Sequence, residues 1–307
     1  MAAFSYRTLS LDPWIFFSLL AAAAQTIRFA LQKSVAATGL SVAGATWARF
    51  FWSWPLALAL VALYLQLRDL TLPEFSPVFF AYALAGGIFQ ILATACTVSL
   101  FSQRAFAIGI TFKKTEVMLT ALVGFILLGD RISLPGFAAL LLGLLGVLLL
   151  SKPPEGVSIF NRAAGIGLLS GLLFALSAVT YRGATQALTL ARDDTVLVAG
   201  TTLAIVAFWQ TLALGAWIAV KEPQQIRATI TSWRRTGLVS LFSLIGSWSW
   251  FAAFSLMNAA YVFAVGQVEL LFSALVGYFW FKERLRPREG LGMVTLLMSI
   301  LGLTFWI

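Results

Sequence analysis

Two carboxylates stand inside long apolar runs, where an ionised group is costly. Glu116 lies in KKTEVMLTALVGFILLGDR, residues 113–131, and Glu269 lies in QVELLFSALVGYFWFKER, residues 267–284. A charge at the centre of a hydrocarbon layer costs at least about 2.5–3.5 kcal/mol on insertion scales, so such a side chain is a functional candidate by default. The apolar runs also carry Arg28, Arg49, Lys113 and Lys114. Low-dielectric surroundings favour the neutral form of a lone carboxyl group. Glu116 or Glu269 could therefore exchange a proton and couple its movement to that of a substrate. Either could instead meet a substrate amine, while Arg28, Lys113 and Lys114 could meet a carboxylate or a phosphate. Both signs in one place suit a zwitterion. The competing reading is structural: Lys113 and Glu116 are spaced to share a helix face and pair with each other. Glu269 has no base within a turn on its own helix.

The two stretches are copies. Glu116 answers Glu269, Thr120 answers Ser273, ALVG recurs letter for letter, and Asp130-Arg131 answers Glu283-Arg284, all at an offset of 153 in a chain of 307 residues. This predicts a duplication, with one repeat over residues 1–155 and a second over 156–307, joined near Pro153-Pro154. Apolar runs long enough to cross a hydrocarbon core recur throughout. The predicted spans cover roughly residues 13–33, 42–66, 77–101, 105–128, 134–151, 162–184, 194–220, 235–256, 259–281 and 288–307. The first run resembles a secretory leader, yet the repeat needs it as a span, and it is read as one. With an odd number of spans per copy, the second copy must be inverted, and inverted repeats place a substrate site near the midplane. The expected fold is thus an all-α polytopic membrane protein, with ten transmembrane helices as two inverted five-helix repeats around a central cavity.

Helix periodicity then sorts the polar faces. The first span carries Ser18, Gln25, Arg28 and Gln32 on one stripe; the third carries Gly87, Gln90, Thr94 and Thr97; the eighth carries Ser240, Ser243, Ser247 and Trp250. The offset of 153 pairs Gln90 with Ser243, Thr94 with Ser247 and Thr97 with Trp250. The sixth span adds Ser170, Ser177 and Tyr181, and Gln267 opens the second acidic stretch. Unpaired polar groups in hydrocarbon are costly, so these faces should turn inward. Spans 1, 3, 4, 6, 8 and 9 are the expected cavity walls. The candidate substrate-binding residues are Gln25, Arg28, Gln90, Thr94, Lys113, Lys114, Glu116, Tyr181, Ser243, Ser247, Trp250, Gln267 and Glu269, with Glu116 and Glu269 as proton-coupling candidates. An aromatic wall at Trp250 would suit flat cargo, with core packing the competing reading. Trp14, Trp233 and Trp306 are expected in interfacial belts, and Trp248 in packing or against lipid. Gly136, Gly143 and Gly146 on the fifth span permit close helix approach, read as packing within the chain, so a monomer is expected.

Composition narrows the class. Hydrophobic residues make up 60% of the chain and charged residues 11%, too little polar surface for a soluble domain. The formal charge of +9 sits largely in short loops, where lipid headgroups account for it, and no nucleic-acid partner is expected. There is no histidine and one cysteine, which removes the usual proton shuttle, the commonest metal ligand and any Ser-His or Cys-His pair. No phosphate-binding glycine loop is present. Neither an enzyme nor a cofactor is expected.

The spans, the duplication and the acid-Arg turn after the fourth span of each copy resemble the drug/metabolite transporter superfamily. Most similar are its bacterial ten-helix EamA-type exporters, which include an aromatic amino-acid branch. Gly129-Asp130-Arg131 and Lys282-Glu283-Arg284 resemble the family's Gly-Glu-Arg turn, and Arg49-Phe50 opens the second span as in the family. Asp130 replaces the usual Glu, Lys282 replaces Gly, and Val117 and Leu270 stand near a place where the family often has proline. The resemblance implies a multi-pass protein of the bacterial inner membrane that exports small metabolites by alternating access. Aromatic or neutral amino acids are the leading cargo, with protons as a possible second partner and lipid as the surroundings. An exchanger of anionic metabolites such as phosphorylated sugars is the alternative. A lipid-handling protein or intramembrane enzyme is the reading of another class. Lys and Arg cluster after the odd-numbered spans, which places both termini outside, whereas the family has them inside.

Overall fold

The computed structural model describes residues 12–36, 39–100, 106–151, 161–188, 194–272 and 287–306, and the described residues are almost all helical. The helices are α1 (Pro13–Ala36), α2 (Val42–Phe51), α3 (Ser53–Arg68), α4 (Pro77–Leu100), α5 (Phe106–Lys113), α6 (Glu116–Leu128) and α7 (Leu134–Leu150). There follow α8 (Arg162–Gln186), α9 (Thr195–Lys221), α10 (Gln224–Thr231), α11 (Trp233–Leu256), α12 (Ala259–Gly266), α13 (268–272) and α14 (Pro287–Trp306). Among the described residues, seven helical segments are long and apolar enough to cross a membrane. Two shorter apolar helices, Leu134–Leu150 and Ala259–Phe272, and the broken pair α5–α6 occupy the other expected spans.

Helix ends follow local chemistry. The side chains of Ser41, Ser133, Asn161, Asp194 and Asn258 accept hydrogen bonds from backbone N–H groups of the first turns of α2, α7, α8, α9 and α12, satisfying donors that a helix start leaves free. At the end of α6, Gly129 takes a left-handed conformation with φ +67°, and the Asp130 N–H reaches back to the Gly124 carbonyl.

Three of the expected spans are interrupted, and two further expectations need correction. The second expected span is interrupted at Trp52: Pro55 has no N–H for the Phe51 carbonyl, and the Ser53 hydroxyl donates to the carbonyls of Arg49 and Phe50. The fourth span is not one helix either. At Lys114–Thr115 the ladder tightens, with the Thr115 N–H on the Phe112 carbonyl and the Thr115 hydroxyl donating to the same group. The ninth expected span also breaks, at Gln267, whose N–H bonds the Ala264 carbonyl while the Leu270 N–H bonds its own. In addition, the segment after α9, expected as loop, folds into the short helix α10. Trp14, assigned to an interfacial belt, is instead buried in the main apolar cluster, because α1 is covered from its first turn. Trp233 is exposed and Trp248 packs on the backbone of Gly200. Ser273, Gly277, Lys282-Glu283-Arg284, the joint at Pro153-Pro154 and the Trp306 side chain lie outside the described residues.

Packing partners interchange between the two parts of the chain. α4 packs along α8, and α1 packs along α11. α3 meets α9, α6 meets α12, and α7 meets α14. The glycine face of α7 is thus occupied within the chain: Gly143 faces Ser299, and Gly146 faces the backbone of Gly292 and Leu296. Gly171 also brings α8 against the break between α5 and α6, since a Cβ there would lie 2.8 Å from the Lys113 carbonyl oxygen.

Candidate functional site

The breaks in the fourth and ninth spans stand 153 residues apart, the offset that carries Lys114 onto Gln267 and Glu116 onto Glu269. Around them lies a buried charge network. Lys113 Nζ donates to Glu116 at 2.9 Å and sits 4.6 Å from the centre of the Phe174 ring. Lys114 pairs with Glu269, so this ion pair joins the first helix break to the second. Glu269 also accepts a 2.9 Å hydrogen bond from Gln25 Nε2, and Trp250 Nε1 donates to Gln25 Oε1 at 3.3 Å. The internal-pair reading of Lys113 and Glu116 therefore describes their geometry. Glu269, which has no base within a turn in the sequence, finds one at the break between α5 and α6.

A second network lies beside the first. Arg49 of α2 donates from Nη1 to Thr94 at 2.9 Å, from Nε to Ser243 at 3.0 Å and from Nη2 to Ser247 at 3.4 Å. Thr94 and Ser247 stand 153 residues apart, and one guanidinium bridges the faces of α4 and α11 that carry them. Tyr181 donates to Gln90 Oε1 at 2.9 Å, and Gln210 Nε2 donates to the same oxygen at 3.1 Å. Arg28 donates to Gln32, which in turn donates to the Ala45 carbonyl.

These side chains enclose a cavity whose walls come from α1, α4, α5, α6, α8, α11, α12 and α13, with α2 contributing Arg49. Gln25, Gln90, Lys113, Glu116, Tyr181, Ser247, Trp250, Gln267 and Glu269 line it. Thr94 and Ser243 stand behind Arg49, and Lys114 stands behind Glu269, each within hydrogen-bond reach of a lining residue. Arg28 lies outside the lining. The apolar part is an aromatic cluster: Trp250 stacks on Phe254 and meets Phe263 edge-on, with centroids 5.8 and 5.3 Å apart. Gly266 admits the Trp250 ring, which a Cβ there would strike. Gln267 Oε1 is buried without a hydrogen-bond partner among the described residues. The space left open is about 30 Å³, room for one or two waters.

Sequence reasoning left Arg49 out of the candidate set, although it was one of the bases within a span. The signal was available: a base inside an apolar run with no acid within a turn.

Residues 163–305 match the EamA-like transporter family. The match and the apolar helices make this a multi-pass integral membrane protein. No curated protein matches the chain. One solved structure, described only as a crystal structure of a protein, has a TM-score of 0.70 at 15% identity, covering 97% of this chain and 100% of its own. Identity that low shows a shared fold.

Proposed function

We propose that this chain is a secondary transporter of small amphipathic metabolites, with aromatic or neutral amino acids as the leading cargo. Two inverted five-helix halves, residues 1–155 and 156–307, would rock around the cavity to expose it alternately to each side. The observation that carries the reading is the pair of helix breaks at repeat-equivalent positions, both bordering one buried cavity. Interrupted helices in corresponding places of two repeats are where membrane carriers build substrate sites. The lining supports an amphipathic cargo: carboxylates and bases on one hand, Trp250, Phe254 and Phe263 on the other, and an unsatisfied acceptor at Gln267. A buried acceptor without a partner favours a ligand that brings a donor, such as an ammonium group.

An amino acid is far larger than the open space of about 30 Å³. Cargo enters only when helices part. The Lys114–Glu269 pair spans the two halves, and separating them exposes Glu269 to cargo or to a proton. Counterflow tests this reading. Proteoliposomes preloaded with unlabelled aromatic amino acids should take up labelled substrate above empty vesicles, and a pH gradient should change the rate. No uptake by folded protein contradicts the amino-acid reading.

A second reading has its own observation. Four buried bases, Arg28, Arg49, Lys113 and Lys114, accompany two carboxylates, Glu116 and Glu269, in and beside the cavity. This excess of positive charge favours anionic cargo such as phosphorylated sugars. Strict counter-exchange, with no net uptake into empty vesicles, distinguishes that exchanger.

A further inference from the structure

Arg49 is 3% exposed, lines the cavity, and has no carboxylate partner among the described residues. Its hydrogen bonds go to the neutral hydroxyls of Thr94, Ser243 and Ser247, and its guanidinium lies 5.3 Å from the centre of the Phe50 ring. A guanidinium carries five N–H donors. Three are used here, which leaves one on Nη1 and one on Nη2. A buried cation with neutral partners is poorly compensated, and Arg suits paired donation to carboxylate or phosphate oxygens.

The other buried bases are differently placed. Lys113 and Lys114 already face carboxylates, and Arg28 is held by Gln32 away from the lining. Arg49 also has no basic twin in the second repeat, since the offset of 153 places it on Thr202. Thr202 donates its hydroxyl to the Val198 carbonyl of its own helix. One unmatched cation therefore sits between two matched hydroxyl faces. That arrangement holds a guanidinium in place without neutralising it.

We propose that Arg49 is the anion-docking residue of this cavity and receives the carboxylate or phosphoryl oxygens of the cargo. The proposal rests on the transporter reading of the site and adds to it which residue selects the charged group. It predicts that cargo must carry an anionic group, whether amino acid or phosphate ester.

The test uses the purified full-length chain with two readouts, thermal stabilisation in detergent and counterflow in proteoliposomes. The probes are L-phenylalanine against phenylalanine amide, and glucose 6-phosphate against glucose. Stabilisation by one anionic probe and not by its neutral counterpart supports the proposal, and which anion stabilises tells carboxylate from phosphate. Arg49→Gln should weaken that apparent affinity by about 30-fold or more, and Arg49→Lys should weaken it less. Equal stabilisation by acid and amide, unchanged affinity in Arg49→Gln, or no stabilisation of the folded protein by either anion overturns it. If Arg49→Gln does not fold, the acid-against-neutral comparison and Arg49→Lys decide. Counterflow reads the transporter function separately, so flux of neutral probes would sink the anion site while leaving transport standing.

Discussion

Glu269 shows how a costly charge is kept in an apolar interior: Lys114 supplies the opposite charge and Gln25 a further donor. Removing one member of such a pair strands the other, whereas replacing both with apolar groups of similar size can be nearly neutral. Lys114→Met alone should therefore destabilise by about 3–5 kcal/mol, and Lys114→Met with Glu269→Met should recover most of that loss in thermal melts. Additive losses would show that the two residues act independently. Glu269→Gln keeps the shape but leaves Lys114 without its counter-charge, so it should melt earlier, and its folded fraction should lose transport if the carboxylate couples or binds. Unchanged transport would remove Glu269 from the mechanism. Most residues of this site were legible because polar positions recur on one helix face, and Gln25, Gln90, Ser247 and Trp250 all came from such stripes. Arg49 was not legible in that way. Its partners Thr94, Ser243 and Ser247 lie 45, 194 and 198 residues away, and periodicity within one helix carries no information about them.

At the scale of elements, the turn Gly129-Asp130-Arg131 acquires a physical role. Asp130 pairs with Arg182 of α8 at 3.0 Å, and the same guanidinium donates to the carbonyls of Phe254 and Met257 at the end of α11. One acid thus holds an arginine that satisfies a helix end and ties α6, α8 and α11 together. Asp130→Asn should lower stability by about 1–3 kcal/mol, read as an earlier melt; an unchanged melt would assign the turn no structural role. Arg182 falls within the expected span 162–184, and its role was hidden because its carbonyl partners belong to a distant helix end. The helix breaks were equally hidden. No proline or glycine marks Lys114–Thr115, and the break comes with tightened hydrogen bonding and the close approach of Gly171. A methyl group at Gly171 would press on the Lys113 carbonyl. Gly171→Ala should therefore cost about 1–3 kcal/mol and slow transport, whereas a variant as stable and active as the parent would show that the contact is slack.

For the whole molecule, the repeated ALVG and its flanking acids carry the expectation of a duplication. The offset of 153 relates α1 to α8 and α4 to α11, and α4 packs on α8 as α1 packs on α11. The central claim is that this same space, narrow here, opens in turn to both sides of the membrane. The chain has a single cysteine, Cys96, so Cys96→Ser gives a clean background. Ser177 lines the cavity at 2% exposure, and Ser177→Cys places a thiol there at little cost in volume. The most direct measurement is labelling of that thiol by a membrane-impermeant reagent, applied to oriented vesicles from one side and then from the other. Alternating access predicts labelling from both sides, slowed in each case by cargo. Labelling from one side only, or from neither in folded protein, would contradict it.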